Sequence, residues 1–212
     1  MKLALLDKDG TLVTSTNPSG FVSSPEDQIL RQGSLNLVKK LLDLGYNLVV
    51  VSNQGGVASG HKTLRTAIDE MLYCNQLFVK SLKRSVFEMF YFCPDFKGES
   101  CWYCEPQKWT NFHKINEWRF SPQDLKGGWL ENEEKTAGKY RKPNCGMLKI
   151  AIRTARLTAL HIMDESPLDN KEPELEDVLM IGDRSEDFGA AMGAKVRFLY
   201  VDEALEQFLN NR

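Results

Sequence analysis

Short apolar runs recur along the chain, at residues 3–6, 48–51, 86–92, 178–181 and 196–201, each continuous in hydrophobicity rather than alternating. A strand that reads this way is covered on both faces, as strands of a parallel sheet are. Between the runs lie helical patterns. Residues 35–44 end at Gly45, placed for a left-handed helix cap; residues 63–80 set Leu64, Ile68, Leu72 and Leu77 near one face; 146–157 and 204–209 are shorter. Strand, helix, strand in repetition predicts an α/β fold, a doubly wound parallel sheet with helices on both sides. Two stretches break the rhythm, 105–140 and the acidic, proline-containing 164–177. The expectation is one domain over 1–212 with an insertion at about 93–140 that forms a small lobe.

Charge removes several function classes. The 27 basic and 29 acidic residues are scattered and leave a net charge of −2, so no basic face attracts nucleic acid or anionic lipid. The run before Asp7 is too short for a secretory signal, and no apolar stretch reaches membrane length, so a cytoplasmic protein is expected. The five cysteines are odd in number, and Cys93, Cys101 and Cys104 crowd together. In a reducing compartment that pattern suggests a metal before a disulfide.

In a doubly wound sheet ligands bind beyond the carboxyl ends of the strands, so the residues that follow each apolar run matter most. After the first comes Asp7-Lys8-Asp9-Gly10-Thr11. Aspartates two apart on extended chain point to one side, and Gly10 lets the backbone turn away. A calcium loop would need its glycine at the sixth position and a preceding helix; here glycine is fourth and a strand precedes. After the second run comes Ser52-Asn53-Gln54-Gly55-Gly56, a hydroxyl followed by flexible backbone amides that suit phosphoryl oxygens. After the fourth comes Gly182-Asp183-Arg184-Ser185-Glu186-Asp187. Alone, either of the last two could be a turn or an ordinary helix start. Their conjunction at the ends of predicted strands points to one site.

Asp7-x-Asp9-Gly10-Thr11, Ser52, Arg141-Lys142-Pro143 and Gly182-Asp183-x3-Asp187 together resemble the four motifs of the haloacid dehalogenase phosphatase superfamily. Finer similarity is to the histidinol-phosphate and heptose-bisphosphate phosphatase group, which also resembles polynucleotide 3′-phosphatases. It is carried by Gly20-Phe21-Val22, Gly45-Tyr46, Asn53-Gln54-x-Gly56-Val57-Ala58-x-Gly60 and Gly146-Met147-Leu148. The resemblance implies a Rossmann-type core without a large cap, and a magnesium-dependent phosphomonoester hydrolase. Asp7 is then the nucleophile, forming an aspartyl-phosphate, and Asp9 the general acid and base, with a pKa that lets it hold a proton near neutrality. Magnesium falls to Asp7, the backbone carbonyl of Asp9 and Asp183, with Asp187 supporting the metal shell or orienting Lys142. Lys142 is a second cation, Ser52 a donor to the phosphoryl group, and Asn53 and Arg141 contact the substrate. The expected substrate is a small phosphorylated metabolite, a sugar phosphate or histidinol phosphate, acted on by a monomer. A polynucleotide 3′-phosphate is the alternative, and a phospho-ligand binder without turnover the third reading.

The chain departs from that group in places. Ser59 stands where many relatives have arginine, followed by His61 and Lys62, so a substrate contact is missing or relocated. Cys101-x2-Cys104 has knuckle spacing, and with Cys93 it is expected to hold a structural zinc whose fourth ligand is Asp95, His113 or water. His61 reads as a solvated helix-start residue, His113 and His161 as structural, and Cys74 and Cys145 as small apolar residues. Trp102, Trp109, Trp118 and Trp129 lie in or beside the insertion and read as the core of its lobe or a stacking surface.

Overall fold

The structure, a computed structural model, describes residues 1–18, 20–104, 139–162 and 175–210. In chain order its elements are β1 (Lys2–Leu6), β2 (Val13–Ser15), β3 (Gln28–Leu30), α1 (Ser34–Asp43), β4 (Tyr46–Asn53), α2 (Leu64–Leu82), β5 (Phe87–Cys93), β6 (Trp102–Cys104), α3 (Gly146–Ile162), β7 (Asp177–Gly182), α4 (Ser185–Ala194), β8 (Arg197–Tyr200) and α5 (Val201–Leu205). Six strands form one sheet in the order β6-β5-β4-β1-β7-β8. β1 runs parallel to β4 and β7, with Leu5 opposite Val49 and Met180. β4–β5 and β7–β8 are also parallel, and β6 alone joins its neighbour antiparallel. The chain winds outward from β1 to β4 and β5 on one side, then returns to β7 and β8 on the other. A crevice therefore opens at the carboxyl ends of β4, β1 and β7.

Alternation within each strand supplies two cores. Ala4 and Leu6 of β1 face α1 and α2, meeting Leu37, Leu41, Met71 and Phe78. Leu3 and Leu5 face α3 and α4, meeting Met147, Leu148, Ala190 and Ala191. Burial on both faces explains why these runs carry no polar alternation. Gly45, at φ +81, closes α1 as expected, and the Thr63 hydroxyl caps α2 by accepting from Thr66 N. Two features went unforeseen, the β2–β3 ribbon and strand β6, each three residues long and too short to leave a periodic signal. α5 begins directly after β8 at Val201, ahead of the expected 204. Most of the expected insertion, with Trp109, His113, Trp118 and Trp129, lies outside the described residues, as does the side chain of His161. Among the described residues there is no large cap, and no helix is long and apolar enough to cross a membrane.

Leu5 is fully buried at the centre of the sheet, whereas Ile29 is 48% exposed. Leu5→Ala should destabilise the fold by about 2–5 kcal/mol, and Ile29→Ala by no more than about 0.5 kcal/mol. Urea unfolding of the two variants checks the difference; equal costs would mean that the sheet centre is not the core.

Candidate active site

The end of β1 is fixed before its chemistry begins. Asp7 N donates to Ile181 O of β7 at 2.9 Å, and the backbone then folds into a tight loop in which Leu12 N and Val13 N both donate to Lys8 O. Gly10 sits at φ +92, and a Cβ there would lie 2.2 Å from Asp183 Oδ2. Glycine is thus what allows the loops after β1 and β7 to touch. At Gly182 a Cβ would lie 2.4 Å from the side chain of Asp187, so a second glycine lets α4 bring that carboxylate in.

Lys142 lies at the centre of the cluster. Its ammonium donates to Asp7 Oδ1 at 2.5 Å and Val51 O at 2.9 Å, and pairs with Asp187 Oδ1 at 2.6 Å. Three acceptors use all three protons of a lysine. Burial opposes its charge, but Asp7 and Asp187 outweigh that and raise its pKa. Burial pushes the Asp7 carboxyl up to about 7, against the pull of Lys142 and with the repulsion of Asp187 added. Burial likewise raises Asp183. Its Oδ1 is buried with no hydrogen-bond partner, while oxygens of Asp7, Asp183 and Asp187 lie within 4.8 Å of one another. Three converging carboxylates with an orphaned oxygen fit a hard, oxygen-seeking cation. Among the described residues this is the only such group.

Asp9 faces the same cleft in a different environment. Lys8 Nζ donates to its Oδ1 at 2.5 Å and Gln54 Nε2 to its Oδ2 at 2.9 Å. Burial works against its ionisation, but the Lys8 ammonium, with help from Lys62 and Gln54, holds its pKa below the usual value. The sequence reading asked Asp9 to hold a proton near neutrality. The surroundings of Asp9 instead favour its carboxylate over the protonated acid, with Lys8 as the largest opposing charge to burial.

The cleft has a volume of about 650 Å³ and is lined by Asp7, Asp9, Ser52, Arg141, Lys142 and Asp187, with Phe21 and Phe96 among its other walls. Ser52 Oγ accepts from Gln54 Nε2 at 2.9 Å. The Arg141 guanidinium lies over the Phe96 ring at 5.2 Å, with Nη1 buried and without a hydrogen-bond partner. That atom suits an incoming oxyanion. Asn53, expected to contact substrate, also lines the cleft and has a second tie. Its amide accepts from Lys142 N at 3.0 Å and donates to Lys142 O at 2.9 Å, clamping the backbone that presents the ammonium.

The expected zinc site is not assembled. Cys101-x2-Cys104 is drawn out at β6 instead of curling into a knuckle, and side chains three apart on extended chain point to opposite faces. Cys104 packs with Phe90 and Phe92 in one core, Cys93 and Cys101 with Tyr91 in the other. Burial pushes the Cys93 thiol up to about 11 and raises that of Cys101, as for small apolar core residues. Asp95, the candidate fourth ligand, closes its own loop by accepting from Gly98 N, Glu99 N and Ser100 N. His113 lies outside the described residues. Cys74 is buried as expected, its thiol pushed up to about 12 by burial. His61 is exposed, its Nδ1 2.6 Å from Ser59 Oγ, and both residues line the cleft.

Glu70 went unnoticed in the sequence, and Lys8, Gln54 and Lys62 were given no role there. One signal was available: on α2, Glu70 falls among Ala67, Met71 and Cys74, inside the buried face, where a carboxylate needs a cationic partner.

The family model described as polynucleotide kinase 3 phosphatase matches residues 2–168, and one described as HAD-hydrolase-like matches residues 139–205. A D-glycero-beta-D-manno-heptose-1,7-bisphosphate 7-phosphatase of Helicobacter pylori is 31% identical over 100 residues, covering 47% of this chain. The match takes in 56% of that protein, so the chain spans about half the length of this relative. The Haemophilus influenzae protein of the same name is 26% identical over 196 residues, 92% of this chain and 78% of its own length. Among solved structures, a putative HAD-like phosphatase from Mesorhizobium loti shares the fold with a TM-score of 0.61 at 19% identity, over 99% of this chain and 85% of its own. The D,D-heptose 1,7-bisphosphate phosphatase of Bordetella bronchiseptica, complexed with magnesium and phosphate, does so with a TM-score of 0.56 at 19% identity, over 100% of both chains.

Removing the Lys142 charge leaves Asp7 and Asp187 facing each other in a buried site. Lys142→Met, measured without divalent metal, should cost about 3–5 kcal/mol at alkaline pH. Lys142 pulls the Asp7 pKa down, so without the ammonium the folded-state pKa of Asp7 rises above its wild-type value of about 7, and the stability that its proton contributes is lost as pH rises through that higher folded pKa. The deficit in urea unfolding should therefore shrink as pH falls from alkaline values to about 7, where wild type takes up the same proton, and change little below that. A deficit unchanged with pH would contradict the ion-pair account.

Proposed function

The chain belongs to the polynucleotide kinase 3 phosphatase family, within the haloacid dehalogenase superfamily, and we propose that it is a phosphomonoesterase with Asp7 as nucleophile and Asp9 as general acid and base. The observation that carries this reading is the pair of unlike carboxylates facing one cleft: Asp7 beside Lys142, Asp183 and Asp187, and Asp9 held apart by Lys8 and Gln54. A nucleophile and a proton donor need such separate environments.

In the proposed reaction an Asp7 oxygen attacks phosphorus in line, and the bond from phosphorus to the ester oxygen breaks. The leaving oxygen takes the proton of Asp9, and Asp7 becomes an acyl phosphate. Water then gives a proton to the Asp9 carboxylate while its oxygen attacks phosphorus. The bond to Asp7 breaks, releasing inorganic phosphate and restoring both residues. Asp9 acquires its first proton as the phosphate dianion binds, because the added negative charge opposes the pull of Lys8 and raises its pKa. Asp7, Asp183 and the backbone carbonyl of Asp9, with Asp187 in support, would hold magnesium, which when bound would supply positive charge to a phosphoryl group. Lys142 and the Ser52 hydroxyl stabilise the same oxygens, and Arg141 clamps the substrate beyond them.

The names of the Helicobacter and Haemophilus relatives favour a phosphorylated sugar as substrate. A polynucleotide 3′-phosphate is the second reading, favoured by the family description and by Phe21 and Phe96, 70% and 58% exposed at the cleft, where a base can stack. Phosphate release from heptose 1,7-bisphosphate and from a 3′-phosphorylated oligonucleotide, with magnesium or with EDTA, separates the readings. The expected result is release that needs the metal, is faster with the sugar, and falls more than about a hundredfold in Asp7→Asn, roughly 3 kcal/mol in barrier. An Asp7→Asn protein that keeps more than about a hundredth of the activity would contradict the mechanism.

A further inference from the structure

Behind Asp9 lies a closed ring of charged and amide groups, with Glu70, on α2, at the far side. Glu70 is fully buried. Its carboxylate accepts from Lys62 Nζ at 2.8 and 2.6 Å and lies 3.8 Å from Lys8 Nζ. Each lysine then reaches forward. Lys8, also fully buried, donates to Asp9 Oδ1 at 2.5 Å and to Gln28 Oε1 at 3.0 Å. Lys62 donates to Gln54 Oε1 at 2.9 Å, and Gln54 Nε2 donates to Asp9 Oδ2.

The chemistry of the donors fixes the ring's polarity. An ammonium has only donors, so Lys62 must meet the oxygen of the Gln54 amide, which turns the amide NH2 towards Asp9. Both oxygens of Asp9 are thereby held, one by each arm, and both arms meet at Glu70. Two lysines and two carboxylates balance in charge, as a buried cluster requires. Removing the Glu70 charge leaves two buried ammonium groups to share Asp9, and frees Lys62 to leave Gln54.

We propose that Glu70 is a positioning residue for Asp9, setting the orientation of that carboxyl through Lys8 and through Lys62 and Gln54. The proposal rests on the reading of Asp9 as the general acid. Glu70 touches neither substrate nor reacting atoms; its effect should be confined to leaving groups that need a proton. A carboxylate that merely holds α2 against the β1 loop would affect all substrates alike.

The test is single-turnover release of the leaving group, with magnesium, from phenyl phosphate and p-nitrophenyl phosphate, in wild type, Glu70→Gln, Glu70→Asp and Asp9→Asn. Phenol is about as basic as a tyrosine side chain and needs the acid; p-nitrophenol leaves readily without it. Glu70→Gln should slow phenol release at least about tenfold, within the range typical of acid catalysis, and p-nitrophenol release less than about threefold, while Glu70→Asp recovers most of the loss. Equal slowing of both substrates, or of neither, while Asp9→Asn shows the asymmetry, would overturn the role of Glu70. An Asp9→Asn protein that shows no asymmetry would overturn the acid assignment instead. If Glu70→Gln does not fold by circular dichroism, the double variant Glu70→Gln/Lys62→Met, which removes one charge of each sign, takes its place with the same expected and overturning results.

Discussion

Carboxylates repel one another and resist burial, yet this fold brings Asp7, Asp9, Asp183 and Asp187 to the ends of neighbouring strands. What permits it is a buried lysine on each side. Lys142 spends its three protons on Asp7, Asp187 and a β4 carbonyl; Lys8 spends its charge on Asp9 and Glu70. Each ammonium is desolvated, which is tolerable only because opposite charge and hydrogen bonds replace its water. Much of the local architecture serves these two groups. Asn53 clamps the backbone of Lys142, and Gly10 and Gly182 remove the Cβ atoms that would keep the loops apart.

Separating the carboxylates into two environments is what makes the site chemically asymmetric. Asp7 is pushed up by burial and by Asp187, whereas Asp9 is pulled down by Lys8. In the proposed reaction the incoming phosphate redistributes this balance, its negative charge favouring a proton on Asp9, and a cation on Asp7 and Asp183 favouring their ionised forms. In that reaction a phosphate ester with its metal would complete this arrangement of charge.

The sheet and the catalytic loop were legible because they are local. A continuous apolar run declares a two-sided strand, and Asp7 and Asp9 two apart after such a run must face one way. Lys142 was legible from its motif, and its distance of 135 residues from Asp7 is closed only by the fold. What stayed hidden depends on tertiary partners. That the Asn53 amide also meets the backbone of Lys142 is something nothing local declares. The cysteine spacing read as a zinc knuckle because three residues are too few to declare strand β6, whose pairing with β5 sends Cys101 and Cys104 to opposite cores. Glu70 was visible only as a charge misplaced on an apolar helix face, a signal whose meaning depends on Lys8 and Lys62 arriving from elsewhere.

The central claim is that Asp7 itself becomes phosphorylated. The most direct measurement is acid quenching of the magnesium-loaded protein during turnover of p-nitrophenyl phosphate, reduction with borohydride, and peptide mass spectrometry. An acyl phosphate is reduced where an ordinary carboxylate is not, so the account expects homoserine at position 7 and unmodified aspartate at positions 9, 183 and 187. Homoserine at another of these positions, or none at position 7 while phosphate is being released, would contradict it.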